Sequence, residues 1–118
     1  MSIQLRLTIK NQELFLWLLR LRQRFCVTGA SMSPLLKAGE EVLVDTRAYS
    51  RRLPEIGDLV IAIHPHRQDL RIIKRVVLVD NNGNCFLLGE NKVESSDSRY
   101  FGLIELRHII GKVTSKFP

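Results

Sequence analysis

Apolar residues near the start of the chain recur with the period of a helix. Leu14, Trp17, Leu18, Leu21 and Phe25 fall on one helical face, and Phe15, Leu16 and Leu19 widen it. Asn11 is an N-cap candidate, Glu13 falls in the first turn, and Arg20, Arg22 and Arg24 follow toward the end. That order of charge suits the helix dipole. The pattern predicts one helix over 12–23, after a loose arm over residues 1–10. From Phe25 onward the pattern is that of strands. Short apolar or alternating runs predict strands at 24–28, 41–45, 58–64, 70–80, 85–88 and 108–114. Asn81-Asn82-Gly83-Asn84 marks a hairpin turn, because Gly and Asn tolerate positive φ.

These elements predict a mainly β fold: a compact antiparallel β domain with one N-terminal helix. The chain divides into a basic arm and amphipathic helix over 1–24 and a β domain over 25–118. At 118 residues it is the size of one domain. A membrane-spanning helix needs about 20 mostly apolar residues, and no such run occurs. The apolar run 14–19 leads into arginines, not into a small-residue cleavage site, so no secretory signal is expected. The expected location is the cytoplasm.

The net charge of +6 is unevenly spread. Residues 1–28 hold five basic residues and one acid, which leaves +4 there and only +2 on the rest. Nucleic-acid readers carry basic stripes interleaved with aromatics on the body of the domain, so no nucleic-acid partner is expected. A basic nucleic-acid-binding β module stays open as an alternative on net charge alone. The basic, Trp-containing helix has two readings: packing on the domain core, or peripheral contact with a membrane or partner through residues 11–24. Cys26 and Cys85 are expected as reduced thiols, Cys26 buried on a strand. No Cys-x-x-Cys pair exists, and His64 and His66 flank Pro65 in a polar loop, so neither a metal site nor a cofactor is expected.

Three segments hold polar residues that a plain β domain does not need. The first runs from Thr28 through Gly29 and Ala30 to Ser31-Met32-Ser33-Pro34. Small residues there admit close approach of a ligand backbone, although a simple turn accounts for the same pattern. The second is Lys74-Arg75 within an apolar strand. Lys74 shares a face with Ile72, Val76 and Leu78, where burial lowers a lysine pKa. A lysine base working at neutral pH needs a fall from about 10.4 to roughly 7–8. An edge-strand lysine that guards against aggregation fits the same position. The third runs from Gly89-Glu90-Asn91 to Asp97-Ser98-Arg99. Asp97 and Arg99 are spaced to pair and stiffen a loop.

Taken together, the segments resemble the bacterial type I signal peptidase family of Ser/Lys serine proteases, relatives in fold of the SOS-repressor proteases. Ser31-Met32-Ser33-Pro34 is similar to the family's first box, and Lys74-Arg75 to its second. Gly89-Glu90-Asn91, Ser95 and Asp97-Ser98-Arg99 are similar to its third, with Glu90 in place of the usual Asp. The resemblance covers 25–113. It implies Ser31 as nucleophile and Lys74 as general base, with Ser95 orienting Lys74. It implies Arg75 paired with Glu90, and Asp97 and Arg99 as loop scaffold. Gly29 stands where some members carry a Ser donor to the oxyanion. An extended substrate would lie against Met32, Pro34 and Ile72.

This sequence shows neither the family's transmembrane anchor nor its large inserted β domain. In that respect, and in its basic Trp-containing N-terminal segment and the stretches 25–36 and 71–77, it is similar to the branch that matures nickel-type superoxide dismutase. The resemblance implies removal of an N-terminal extension from that precursor, with nickel belonging to the substrate. A soluble signal-peptidase-like protease with another substrate, a self-cleaving repressor and an inactive scaffold are the competing readings.

Overall fold

The computed structural model describes residues 11–29, 32, 33, 35–91 and 97–117. Helix α1 spans Asn11–Leu18, and the strands are β1 Gln23–Cys26, β2 Glu41–Asp45, β3 Leu59–His64, β4 Arg67–Val79, β5 Cys85–Leu88 and β6 Ile109–Phe117. A short helix α2, Ser98–Phe101, and a 3-10 turn, Leu106–His108, lie between β5 and β6. The strands form one antiparallel sheet in the order β1-β2-β6-β3-β4-β5. The fold is mainly β, as the alternating pattern predicts.

The sheet buries apolar residues on both faces. On β3, Leu59 and Ile61 join a cluster with Val27, Met32, Leu36, Val42, Val44 and Val113. Val60 and Ala62, alternating with them, join Val76, Cys85, Leu87 and Ile104. A strand covered on both faces reads as a continuous apolar run, which is why 59–63 lacks polar alternation. The turn after β4 is held by Asp80. Its carboxylate accepts from the backbone N–H of Asn82 and Asn84 and from the Asn84 amide, and Gly83 takes φ 86°.

The helix is shorter than its apolar period suggests. It stops at Leu18, and Arg20 adopts φ 63°, in the left-handed region. The arginines expected in its last turn serve the sheet instead. Arg22 folds back onto Glu13 at 3.1 Å and approaches Asp45 at 3.8 Å, while Arg24, on β1, pairs with Glu41 at 3.1 Å. Reversing the chain there frees 23–26 to pair with β2. One side of α1 docks on β6. Trp17 meets the Phe117 ring edge-on with centroids 4.9 Å apart, the Arg24 guanidinium lies over both rings, and Glu13 accepts from the Thr114 hydroxyl. The other side leaves Phe15, Leu18, Leu19 and Leu21 exposed.

Strand β6 bridges β2 and β3, and both ladders shift register beside it. Gly111 makes the close passage possible. A Cβ there would stand 2.6 Å from the Asp45 carbonyl oxygen and 2.8 Å from Val44 Cγ1. The nearest obstacle is backbone, which cannot swing aside. Gly111→Ala is therefore expected to cost about 1–3 kcal/mol, the usual range for overpacking. Urea unfolding measures it; an unchanged midpoint would show that the strands have room to separate.

Candidate functional site

Lys74 lies on β4 opposite Val60 of β3, on the face shared by Ile72 and Val76. Its residue exposure is 3%, so it is not a solvated guard on a sheet edge. Burial is the largest influence on its ammonium and pulls the pKa below the ordinary lysine value. The Asp97 carboxylate opposes that fall, and the Arg99 guanidinium adds to it. A lysine so placed is biased toward the neutral amine a general base requires.

Asp97 is fully buried and organises the third polar segment. It caps α2, accepting from the backbone N–H of Arg99 at 3.1 Å, and accepts from the Gly89 N–H at 3.0 Å. The Arg99 guanidinium grips the same carboxylate at 3.0 and 3.1 Å. Ser98 ties the segment to β5, its hydroxyl accepting from the Leu87 N–H at 2.8 Å. Arg75, pointing to the opposite face from Lys74, donates to the Gly57 carbonyl at 2.8 Å and pairs with Glu90 at 3.2 Å. The longer Glu side chain therefore reaches the arginine from position 90.

Beside Lys74 opens a groove of about 370 Å³, lined by Phe25, Cys26, Val27, Thr28, Met32, Ile61 and the stretch 70–74 of β4. Two incomplete ladders form its walls. Strand β1 pairs only with β2, and β4 pairs with β5 only from Arg75 onward, so among the described residues 67–74 have β3 as their one strand partner. The curl of the sheet brings these two bare edges to the same cleft. Met32 is both a groove residue and a core residue, at 2% exposure, and Ile72 lines the groove while packing on the second cluster. Gly29 follows β1 with φ 75°, a conformation that favours glycine.

Ser31, Pro34 and Ser95 lie outside the described residues. Cys26 lies on β1 as expected but is exposed, whereas Cys85 is the buried thiol. The reason is alternation: Phe25 and Val27 turn toward the first apolar cluster, which leaves Cys26 facing outward on an edge strand. Burial pushes the Cys85 thiol up to about 11, which makes it a poor nucleophile. His64 ends β3 instead of lying in a loop. Its ring packs edge-on against Phe101, centroids 5.1 Å apart, and partial burial lowers its pKa, with His66, Arg67 and Lys74 adding to the shift. No cluster of three or more His, Cys, Asp or Glu able to hold a metal ion occurs among the described residues. Of the groove residues, Leu70 lies in none of the motifs. A period-two pattern marks the faces of a strand but not its unpaired edge.

A curled antiparallel sheet that leaves two edges open beside a desolvated lysine defines the class of protein. The model of the family "Signal peptidase, peptidase S26" matches residues 6–80 and 81–117, and the chain belongs to that family. It is similar to signal peptidase I of Aquifex aeolicus, 34% identical over 55 residues, covering 47% of this chain and 22% of that protein. It is also similar to mitochondrial inner membrane protease subunit 1 of Schizosaccharomyces pombe, 25% identical over 108 residues, covering 75% of this chain and 69% of that one. The chain thus spans about a fifth of the first relative and about two thirds of the second.

The lowered pKa of Lys74 has a thermodynamic consequence. Between the lysine's lowered folded-state value and its unfolded-state value of about 10.4, the unfolded chain binds the proton and the folded chain largely does not. Across the interval between the folded and unfolded values, stability therefore rises with pH. Lys74→Met removes the titrating group. Its stability relative to wild type should be greatest at and below the lowered folded-state value and should shrink as pH approaches 10. Denaturant titrations at several pH values test this; a pH-independent difference would mean that Lys74 keeps an ordinary pKa.

Proposed function

We propose that this protein is a serine endopeptidase that removes an N-terminal extension from a precursor, with nickel-type superoxide dismutase as the substrate. The observation that carries the reading is Lys74: a buried amine with a lowered pKa, in the wall of a groove edged by unpaired strands. In this reading an extended peptide adds a strand between β1 and β4, and its backbone pairs with their free edges. The Ser31 Oγ attacks the scissile carbonyl while neutral Lys74 takes the hydroxyl proton. Lys74 then gives that proton to the leaving amine, which departs and leaves an acyl ester on Ser31. Water, deprotonated by the same amine, hydrolyses the ester and restores the serine. The Ser31 N–H stabilises the oxyanion, and Ser95 orients Lys74. Nickel enters only with the substrate.

The dismutase assignment rests on the resemblance of 25–36 and 71–77 to the maturation branch. Family membership supports peptidase chemistry and leaves the precursor open. Ser31→Ala and Lys74→Ala should each abolish cleavage of a co-expressed dismutase precursor, read as the mature N-terminus by mass spectrometry. The double variant should be little worse than either single one, because the two groups act as a unit. Wild-type cleavage by Ser31→Ala would overturn the protease reading. Intact precursor beside an enzyme that cleaves other peptides would overturn only the substrate.

The outward side of α1 suits a peripheral membrane contact on the cytoplasmic face. Phe15, Leu18, Leu19 and Leu21 are exposed next to Arg20, a combination that favours an anionic lipid surface. No helix among the described residues is long and apolar enough to cross a membrane. Binding to phosphatidylglycerol vesicles should be lost on Phe15→Ser/Leu18→Ser and weakened by salt. Salt-insensitive binding, or equal binding by the double variant, would sink this contact.

A further inference from the structure

The groove carries an unused charge. Arg71 lines it from β4, is exposed, and shares its side of the strand with Ile73. Ile73 and Phe25 both pack on the first apolar cluster and both line the groove, so Arg71 stands at the outer rim of an apolar patch. Among the described residues no carboxylate pairs with it. Asp69, the one acid on β4, makes no ion pair with it although it lies two positions away on the same side of the strand. Among the described residues, the groove lining holds Arg71 and Lys74 as its charged residues and includes no acid. Arg24, Arg99 and Arg107 are paired with Glu41, Asp97 and Glu105, whereas Arg20, Arg47, Arg51, Arg52 and Arg67 are exposed without an ion pair to a described residue; what sets Arg71 apart is its place in the groove.

We propose that Arg71 is a specificity-determining residue that selects precursors with an acidic side chain two or three residues from the scissile bond. The inference rests on the protease reading above, in which a peptide lies extended along the bare edge of β4. Arg71 is three positions from Lys74, about 10 Å along a strand at about 3.3 Å per residue. An extended substrate advances at the same rate, so a side chain two or three residues from the reacting carbonyl comes alongside the guanidinium. Alternation sends that side chain either toward Lys74 or toward Arg71, Ile73 and Phe25. A Glu or Asp on the second side rests its methylene carbons on Phe25 and Ile73 and its carboxylate on Arg71. A Lys or Arg there meets the like charge of Arg71, and the described groove residues include no acid to neutralise it. The contact is made equally in ground state and transition state, so it acts on KM and leaves kcat unaltered.

The test uses the full chain and a mixture of ten-residue peptides randomised at every position, with cleaved products sequenced by mass spectrometry. Wild type should favour Asp or Glu at one position two or three residues from the cut, by about two- to fivefold in kcat/KM, the range for a solvated charge pair. Arg71→Gln should flatten the preference, and Arg71→Glu should invert it toward Lys and Arg at that same position. Added salt should shrink both preferences. An unchanged melting temperature for both variants would confirm that the fold is intact. Cleavage indifferent to charge, or an acidic preference that survives Arg71→Glu, overturns the inference and leaves the protease reading standing. No cleavage of any peptide or precursor overturns the protease reading, and this inference with it.

Discussion

The buried carboxylate of Asp97 is the constraint on which the rest of the site depends. A fully desolvated charge is costly unless its oxygens are satisfied, and here the backbone N–H groups of Gly89 and Arg99 and the Arg99 guanidinium all donate to it. These bonds do more than compensate a charge. They tie Gly89, just after β5, to Asp97 and Arg99 at α2. Ser98 adds a second anchor, on the Leu87 N–H.

That acid also sets the electrostatic balance at Lys74. Apolar neighbours on β3 and β4 drive the lysine toward its neutral form, and Asp97 favours the charged form. Arg99 screens the acid from the amine by holding its carboxylate. Removing Arg99 would therefore raise the lysine's pKa on two counts, through loss of a nearby cation and through unmasking of an anion. The amine is tuned by a group of three residues, and the sheet contributes the largest share by keeping water away.

Much of this was legible in the sequence, for identifiable reasons. Strands β2, β3 and β5 follow from apolar runs between turn residues, and Asp80 with Gly83 makes the turn between β4 and β5 local. The burial of Lys74 could be read from its neighbours at two-residue spacing. Other features were hidden because they depend on tertiary pairing. Eight apolar residues in helical register predict a helix over 12–23, yet Glu13, Asp45 and Glu41 recruit the arginines and end it at Leu18. Cys26 reads as a core thiol until β1 proves to be an edge strand. The groove itself has no motif, since it arises where two strands distant in sequence both lack a neighbour.

The length of those bare edges has a consequence for what can enter. Strand β1 has four residues, and the unpaired part of β4 is eight residues long. Main-chain partners on such edges are offered only to a chain whose own amides are unengaged. A polypeptide already folded into helices or sheets has spent its amides internally and has nothing to exchange. On the proposed reading, a cleft of this kind discriminates by foldedness before it discriminates by side chain, and favours an extended segment over a compact body.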